Sequence, residues 1–217
     1  MALYDLVKTA VKNASGRLDD PVDYDNAVTE ALKRYSRHRP RIVTGDVSGE
    51  DGPDVALPAE WVAGFSVVRS IEFPVGSIPE DLIDVRYWRF YQAPSGLFIR
   101  FTDIAPAADE IVRVTHTALH ADESTVSDAD LEAVGNLAAS ICCRTLAAAY
   151  GNTSDPTVQA DVVNYRSKTD EYRRLADSYE SLYNDHLGIR PNDAAPAAMV
   201  TALPAGSSRP RLTHGSR

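Results

Sequence analysis

Two blocks of helical periodicity, residues 2–38 and 127–187, are separated by residues 41–119, where the periodicity of the chain changes. This division limits the fold more than any other feature of the sequence. In residues 2–15, Leu3, Leu6, Val7, Ala10, Val11 and Ala14 fall on one stripe at helical spacing. Ser15-Gly16 ends that helix, glycine being suited to the left-handed position beyond a helix. A second helix is expected over 22–38, entered through Asp19, Asp20 and Pro21, with carboxylates at the positive end of the helix dipole. Tyr24, Ala27, Val28, Ala31, Leu32 and Tyr35 form its buried stripe, and Pro40 stops it. The second block opens at Ser127-Asp128-Ala129-Asp130, which fits a capping box, and presents Leu131, Val134, Leu137, Ala138, Ile141, Cys142, Thr145, Leu146 and Ala149 as far as Tyr150. Small residues dominate that face, so another helix can pack closely. Ser154-Asp155-Pro156 opens the last helix, which runs to about Leu187 with Val162, Val163, Tyr165, Tyr172, Leu175, Tyr179, Leu182 and Tyr183 on its stripe. Neither pair of helices is large enough for its own core. The two pairs are therefore expected to share one, with the segment between them as an insertion.

That segment is rich in β-branched and aromatic residues and punctuated by Gly and Pro. Candidate strands are 41–44, 65–73, 84–91, 96–101 and 110–116. The last alternates Val114 with Arg113 and Thr115, the pattern of a half-buried antiparallel strand. Ala93-Pro94-Ser95-Gly96 reads as a hairpin turn. Leu57-Pro58-Ala59-Glu60-Trp61 reads as a short helical turn, and 45–54 as an acidic loop. The expected fold class is α+β: a small bundle of about four helices with an antiparallel β insertion between helices two and three, and an extended C-terminal arm. The expected divisions are 1–40 and 121–188 for the bundle, 41–120 for the insertion and 189–217 for the arm.

Charge separates the arm from the body. Within a net charge of −9, residues 189–217 hold Arg190, Arg209, Arg211 and Arg217 against Asp193, which leaves −12 on the rest. An acidic body does not displace counterions from a phosphate backbone, which argues against DNA binding by the body. The Pro, Ala, Gly and Ser of the arm have little to bury, and its composition is that of a segment ordered only by a partner. The arm's positive charge points to an acidic protein or to weak nucleic-acid contact. No apolar run approaches the ~20 residues that span a bilayer, so no membrane is expected. Met1-Ala2-Leu3-Tyr4-Asp5 has no basic stretch leading an apolar one, which predicts folding in a cytoplasm. The adjacent Cys142 and Cys143 are expected as free, buried thiols, because a bridge between helical neighbours would be strained.

The search for chemistry yields no catalytic, cofactor-binding or metal constellation. Phosphate-loop, dinucleotide and nucleophile-elbow motifs are missing. His116 and His120 stand four apart, but one ends a strand and the other lies in a loop, so surface histidines are expected rather than a zinc site. The run from Asp46 to Gly52 resembles a calcium loop, but its Gly comes one place late and Leu57 stands where Glu is needed. Asp19/Asp20, Glu80/Asp81 and Glu123 read as solvated carboxylates rather than a hydrolase pair. Lys33, Arg34, Arg37, His38 and Arg39 suit a helix C-terminus or an acidic neighbour, with a nucleic-acid patch as the alternative. The tyrosines of the last helix read first as core, with an intersubunit contact as the alternative. In Tyr87-Trp88-Arg89-Phe90-Tyr91 one face is core, and the other is too aromatic for bare solvent.

These features converge on a resemblance. The Tyr4-Asp5-Leu6-Val7 helix precedes the helix Tyr24-Asp25-Asn26-Ala27-Val28-Thr29-Glu30-Ala31-Leu32-Lys33-Arg34-Tyr35-Ser36. Then follow β hairpins, a small-residue helix with Ala138-Ala139-Ser140-Ile141-Cys142 and Ala147-Ala148-Ala149-Tyr150, a long charged Tyr helix and a Pro/Arg arm. In order and character over residues 1–188 this resembles the head–tail connector, or adaptor, family of tailed bacteriophages. The resemblance implies a non-enzymatic virion protein with no cofactor. It implies a ring of about twelve copies that joins the portal protein to a tail or tail-completion protein, and DNA passing through without sequence-specific binding. Assembly in the host cytoplasm and residence at the head–tail junction follow from the same resemblance. It marks Arg209, Arg211 and Arg217 as portal- or neighbour-binding residues, and places Tyr87, Trp88 and Tyr91 near an intersubunit or tail contact. The alternatives are another tail structural protein (tail terminator or baseplate component) and a small hydrolase built on the β insertion.

Overall fold

A computed structural model of the chain describes residues 2–13, 16–152 and 165–190. Among these residues it has four α-helices: α1 (Leu3–Ala10), α2 (Val22–His38), α3 (Leu131–Gly151) and α4 (Tyr165–Leu187). Between α2 and α3 lie six strands: β1 (Arg41–Ser48), β2 (Asp54–Ala56), β3 (Val68–Glu72), β4 (Trp88–Ala93), β5 (Gly96–Phe101) and β6 (Ile111–Ala118). The fold is α+β, as the two periodicities require.

All four helices contribute to one core. Leu3 and Val7 of α1, Tyr24, Ala27, Ala31 and Tyr35 of α2, and Ala176 and Tyr183 of α4 close around Val134, Leu137, Ala138 and Leu146 of α3. Alanines at 133, 138, 139 and 147, with Gly135, leave α3 thin enough to be surrounded, and all five are buried. The α4 tyrosines serve this bundle. Tyr179 and Tyr172 donate their hydroxyls to the carbonyls of Ala10 and Lys12, at 3.2 and 3.4 Å. The Ala10 carbonyl is one that α1 leaves unpaired at its C-terminal end, and the Lys12 carbonyl lies two residues beyond it. Helix α1 ends at Ala10 rather than running to Ser15, because Val11 turns extended and the Asn13 side chain ties the following turn to Arg17 and Leu18. The expected opening of α4 at Ser154-Asp155-Pro156 lies outside the described residues.

The insertion forms two three-stranded antiparallel sheets, ordered β1-β6-β3 and β2-β5-β4. Val68, Ile71, Val112 and Val114 of the first share an apolar core with Val55, Ile99 and Phe101 of the second. Several boundaries differ from the sequence expectation. Residues 45–48 are not loop: β1 continues through Gly45, Asp46, Val47 and Ser48, because β6 pairs with it as far as Ile111. Strand β3 starts at Val68, after a turn closed by the Ser66 hydroxyl accepting from the Val62 N–H at 2.9 Å. Residues 85–87 make a 3-10 turn capped by Asp84 before β4 begins. The Pro94-Ser95 hairpin forms as expected, with Ala93 facing Gly96.

Glycine is required at one place in particular. A Cβ at Gly49 would stand 2.3 Å from the Ala107 carbonyl oxygen and 2.6 Å from that of Pro106. At Gly135 the nearest atoms, on Leu6, would be an ordinary 3.6 Å away. Gly49→Ala is therefore expected to cost about 1–3 kcal/mol through backbone displacement. Gly135→Ala is expected to be neutral, or stabilising by up to ~1 kcal/mol of helix propensity. Urea unfolding of the two variants checks the contrast.

Candidate functional site

The densest polar cluster of the bundle lies where α2 ends, α3 begins and α4 ends. Asp130 is 2% exposed, and its carboxylate accepts four contacts. Tyr35 Oη donates at 2.7 Å, Arg39 Nη1 reaches the two oxygens at 2.8 and 2.7 Å, and His186 Nε2 donates at 2.8 Å. Burial alone would push this carboxyl up, but the bonds from Tyr35, His186 and Arg39 outweigh it and hold the carboxyl below the usual aspartate range. The Tyr35 hydroxyl is pushed up to about 12 by burial and by Asp130. That arrangement holds three helices together. Asp130 had read as the acidic member of a capping box. Instead its backbone N–H bonds to Ser127 O at 2.8 Å, and its side chain faces α2 and α4.

The histidines also depart from expectation. His116 is fully buried, and His120 is 8% exposed. Residues 112, 114, 116 and 118 of β6 share the inward face, so strand parity sends His116 into the protein. Its ring lies 5.8 Å from that of Trp61. His120 bridges the insertion to α2: its N–H donates to Ser36 Oγ at 2.9 Å, and its Nε2 bonds the Arg39 carbonyl at 3.0 Å. The two rings have separate surroundings and do not form a metal pair. Among the described residues no group of three or more His, Cys, Asp or Glu side chains is placed to hold a metal ion. Asp46 is held by Arg113 at 2.8 and 3.0 Å, which removes it from any cation loop. Cys142 and Cys143 are free and buried, and burial raises their thiols to about 12 and about 11, so neither is a nucleophile at neutral pH. No helix among the described residues is long and apolar enough to cross a membrane.

The surface carries more information. Ile78, Leu82, Val85, Tyr87 and Phe90 form a run of exposed large apolar side chains, with Ile78 99% exposed. Of the aromatic residues marked from sequence, Tyr87 is exposed, and Trp88 is half-buried against the insertion's core and edge-on to Phe90. Tyr91 lies beneath the Arg100 guanidinium, which is bidentate to Asp54 at 2.5 and 2.6 Å. Trp88 and Tyr91 belong to β4, an edge strand, and Tyr87 directly precedes it. Arg209, Arg211 and Arg217 lie outside the described residues. Ile78 had not been singled out. Its signal is an isoleucine set among Gly76, Ser77, Pro79 and Glu80, where a loop has nothing to bury it against. Part of the basic run at the end of α2 is neutralised: Arg34 pairs with Glu30 at 3.3 Å and Arg39 with Asp130.

No protein-family model and no curated protein matches the sequence. Three solved chains align with it along most of their length. One is in the virion of a native gene transfer agent particle, at 14% identity, covering 80% of this chain and 89% of that one, with a TM-score of 0.31. Another is in the neck of the native particle computed with C12 symmetry, at 18% identity, covering 76% and 89%, with a TM-score of 0.27. The third is in the neck of an empty particle computed with C6 symmetry, at 18% identity, covering 79% and 86%, with a TM-score of 0.29. At these TM-scores the likenesses are too loose to bear on this chain's fold or role.

The Asp130 cluster is a determinant of stability, and its pH dependence has a definite sign. Asp130→Ala strands the Tyr35 hydroxyl and is expected to cost about 2–3 kcal/mol, as for charged hydrogen bonds elsewhere. Because the folded carboxyl is depressed, the benefit is complete above the unfolded value of about 3.9 and is lost as pH falls through the folded value. The stability gap between wild type and Asp130→Asn is therefore expected to be constant at neutral pH and to narrow below about pH 4. Thermal melts from pH 3 to 7 check it.

Proposed function

We propose that this chain is a structural, non-catalytic virion protein of a tailed-phage type of particle. In this reading it is a head–tail adaptor that forms a ring, about twelve copies by the resemblance, between portal and tail. The observation that carries the reading is the apolar run from Ile78 to Phe90, left in water on a chain whose two cores already hold their own residues. Exposed apolar surface of this kind marks a protein contact. The order of elements supports the same reading: residues 1–40 and 121–188 make the bundle of the ring, 41–120 project from it, and 189–217 are an arm for portal or neighbour. The charge of −12 outside the arm suits the wall of a DNA channel, since passing DNA is not held by it. Tyr87, Trp88 and Tyr91 sit at an intersubunit or tail contact, and Arg209, Arg211 and Arg217 dock the arm.

The test is the mass of the purified chain in solution, followed by electron-microscopic class averages with and without portal. Rings of about twelve, or monomers that assemble only on portal, are the expected result. Three- or sixfold rings that ignore portal would assign the chain to the tail itself. Replacing Arg209, Arg211 and Arg217 together by Glu is expected to weaken portal docking, read as loss of co-sedimentation. Undiminished docking would remove the arm from the contact.

A further inference from the structure

We propose that residues 197–203 of the chain add as a further strand to the open edge of β4. A ring is not needed for this, since one chain can pair its own segment with its own edge. The edge is defined by its hydrogen bonds. Thr102 donates its N–H to the Tyr87 carbonyl at 2.9 Å, whereas Phe101 donates to Pro53 at 2.8 Å, on the β2 side. Antiparallel pairs alternate, so Arg89, Tyr91 and Ala93 bond to β5, and the N–H and C=O groups of Trp88, Phe90 and Gln92 face away from it. Strand β4 ends its sheet, and among the described residues nothing bonds to those outward groups. Its register against β5 runs from Trp88 to Ala93 without a bulge, Arg89 is its only charged residue, and it holds neither Pro nor Lys. It thus lacks most of the devices that keep an edge from pairing. The other edges differ. Phe73 donates its N–H to Asp81 O at 3.0 Å and Ile83 donates to Ile71 O at 2.8 Å, which closes the loop between them over β3. Strand β2 has only three residues, and the exposed residues of β1, Ile42, Thr44, Asp46 and Ser48, lie on the face opposite its core-packed Val47.

A side chain marks the same edge. Phe90 shares the inward face with Trp88, and its ring lies 5.4 Å from Trp61 and 5.7 Å from Trp88, both of which pack on the insertion's core. It is nevertheless 43% exposed, because no strand lies beyond it to cover the ring. The occupant is read from the sequence that follows α4. Pro196 and Pro204, which have no N–H to give, bound Ala197-Ala198-Met199-Val200-Thr201-Ala202-Leu203. This uncharged run of seven residues matches the six of β4 in length, and every one of its residues can donate. Its neighbours between prolines, 192–195 and 205–209, carry Asn192 and Asp193 or Gly206, Ser207 and Ser208 instead, which are poor strand formers. Main-chain bonds hold a strand added to an edge, and alternate side chains give it specificity. One parity of the run lays Val200 over Phe90, and the other lays Met199 and Leu203 there. Arg209, Arg211 and Arg217 follow the anchored strand and stay available for a charged contact.

The experiment uses the full chain. Amide hydrogen exchange is followed by NMR at Trp88, Phe90 and Gln92, and p-benzoylphenylalanine placed at position 90 is photo-cross-linked and mapped by mass spectrometry. In wild type the three amides are expected to be protected, and the cross-links to fall within residues 197–203, in the same chain or in another copy. Val200→Pro with Thr201→Pro removes an N–H of each parity from the run. It is expected to speed exchange at the three amides at least tenfold with circular dichroism unchanged, whereas Ser207→Pro, outside the run, is expected to leave them protected. Amides that exchange freely in wild type, or that stay protected in the double proline variant, would overturn the pairing. Cross-links to residues 88–93 of a second copy would overturn it as well and give the edge to a dimer. Rings that form while the pairing fails leave the ring reading standing, and pairing in a chain that forms no ring leaves this one standing.

Discussion

Everything else in the molecule depends on the burial of α3. Its face is mostly alanine, glycine and cysteine, so α1, α2 and α4 can pack against one thin helix and share a core that none of them could build alone. At about 25 cal/mol per Å² of apolar surface, a single exposed helix pair gains too little to offset the entropy of ordering it. Residues from the two ends of the chain must therefore meet, and everything between α2 and α3 must leave the bundle and return to it.

The return point is built from polar contacts. Arg39 at the end of α2 reaches Asp130 at the start of α3, and His186 near the end of α4 reaches the same carboxylate. One turn away, Ser36 and the Arg39 carbonyl receive His120, the last fixed point of the chain as it comes back from β6. Glu123 then accepts the Leu3 N–H at 2.5 Å. Polar groups buried together stay favourable only when all are satisfied, so this junction specifies one geometry between insertion and bundle. The insertion has its own apolar core and leaves Ile78, Leu82, Val85, Tyr87 and Phe90 exposed.

Sequence patterns and structure part company where partners are distant. The helical stripes identified Tyr24, Ala27, Val28, Ala31, Leu32 and Tyr35 as buried, and all but the half-buried Val28 are, because a helix face depends on neighbours three and four residues away. The charges of Asp46 and Arg113 looked solvated in the sequence, yet they pair across β1 and β6, which are far apart along the chain. Asp130 fitted a capping box by spacing. Three long-range partners outbid that local role, since a buried carboxylate gains more from Arg39, Tyr35 and His186 than from one backbone N–H. The exposed isoleucine at 78 could have been flagged from its neighbours, but only the closed loop shows that nothing among the described residues covers it.

The sequence by itself determined the α+β class, the extent of α2 and most of β5 and β6, the hairpin at Pro94-Ser95, the burial of Cys142 and Cys143, and the split of charge between body and arm. These follow from local periodicity, turn chemistry and composition, which act between residues close in the chain. Tertiary structure alone decided the continuation of β1 to Ser48, the inward turn of His116, the pairing of six strands into two sheets over one core, and the gathering of α2, α3 and α4 on Asp130. Each of these depends on which distant segment lies alongside, and so on which surfaces must leave water together, and one-dimensional spacing does not encode that choice.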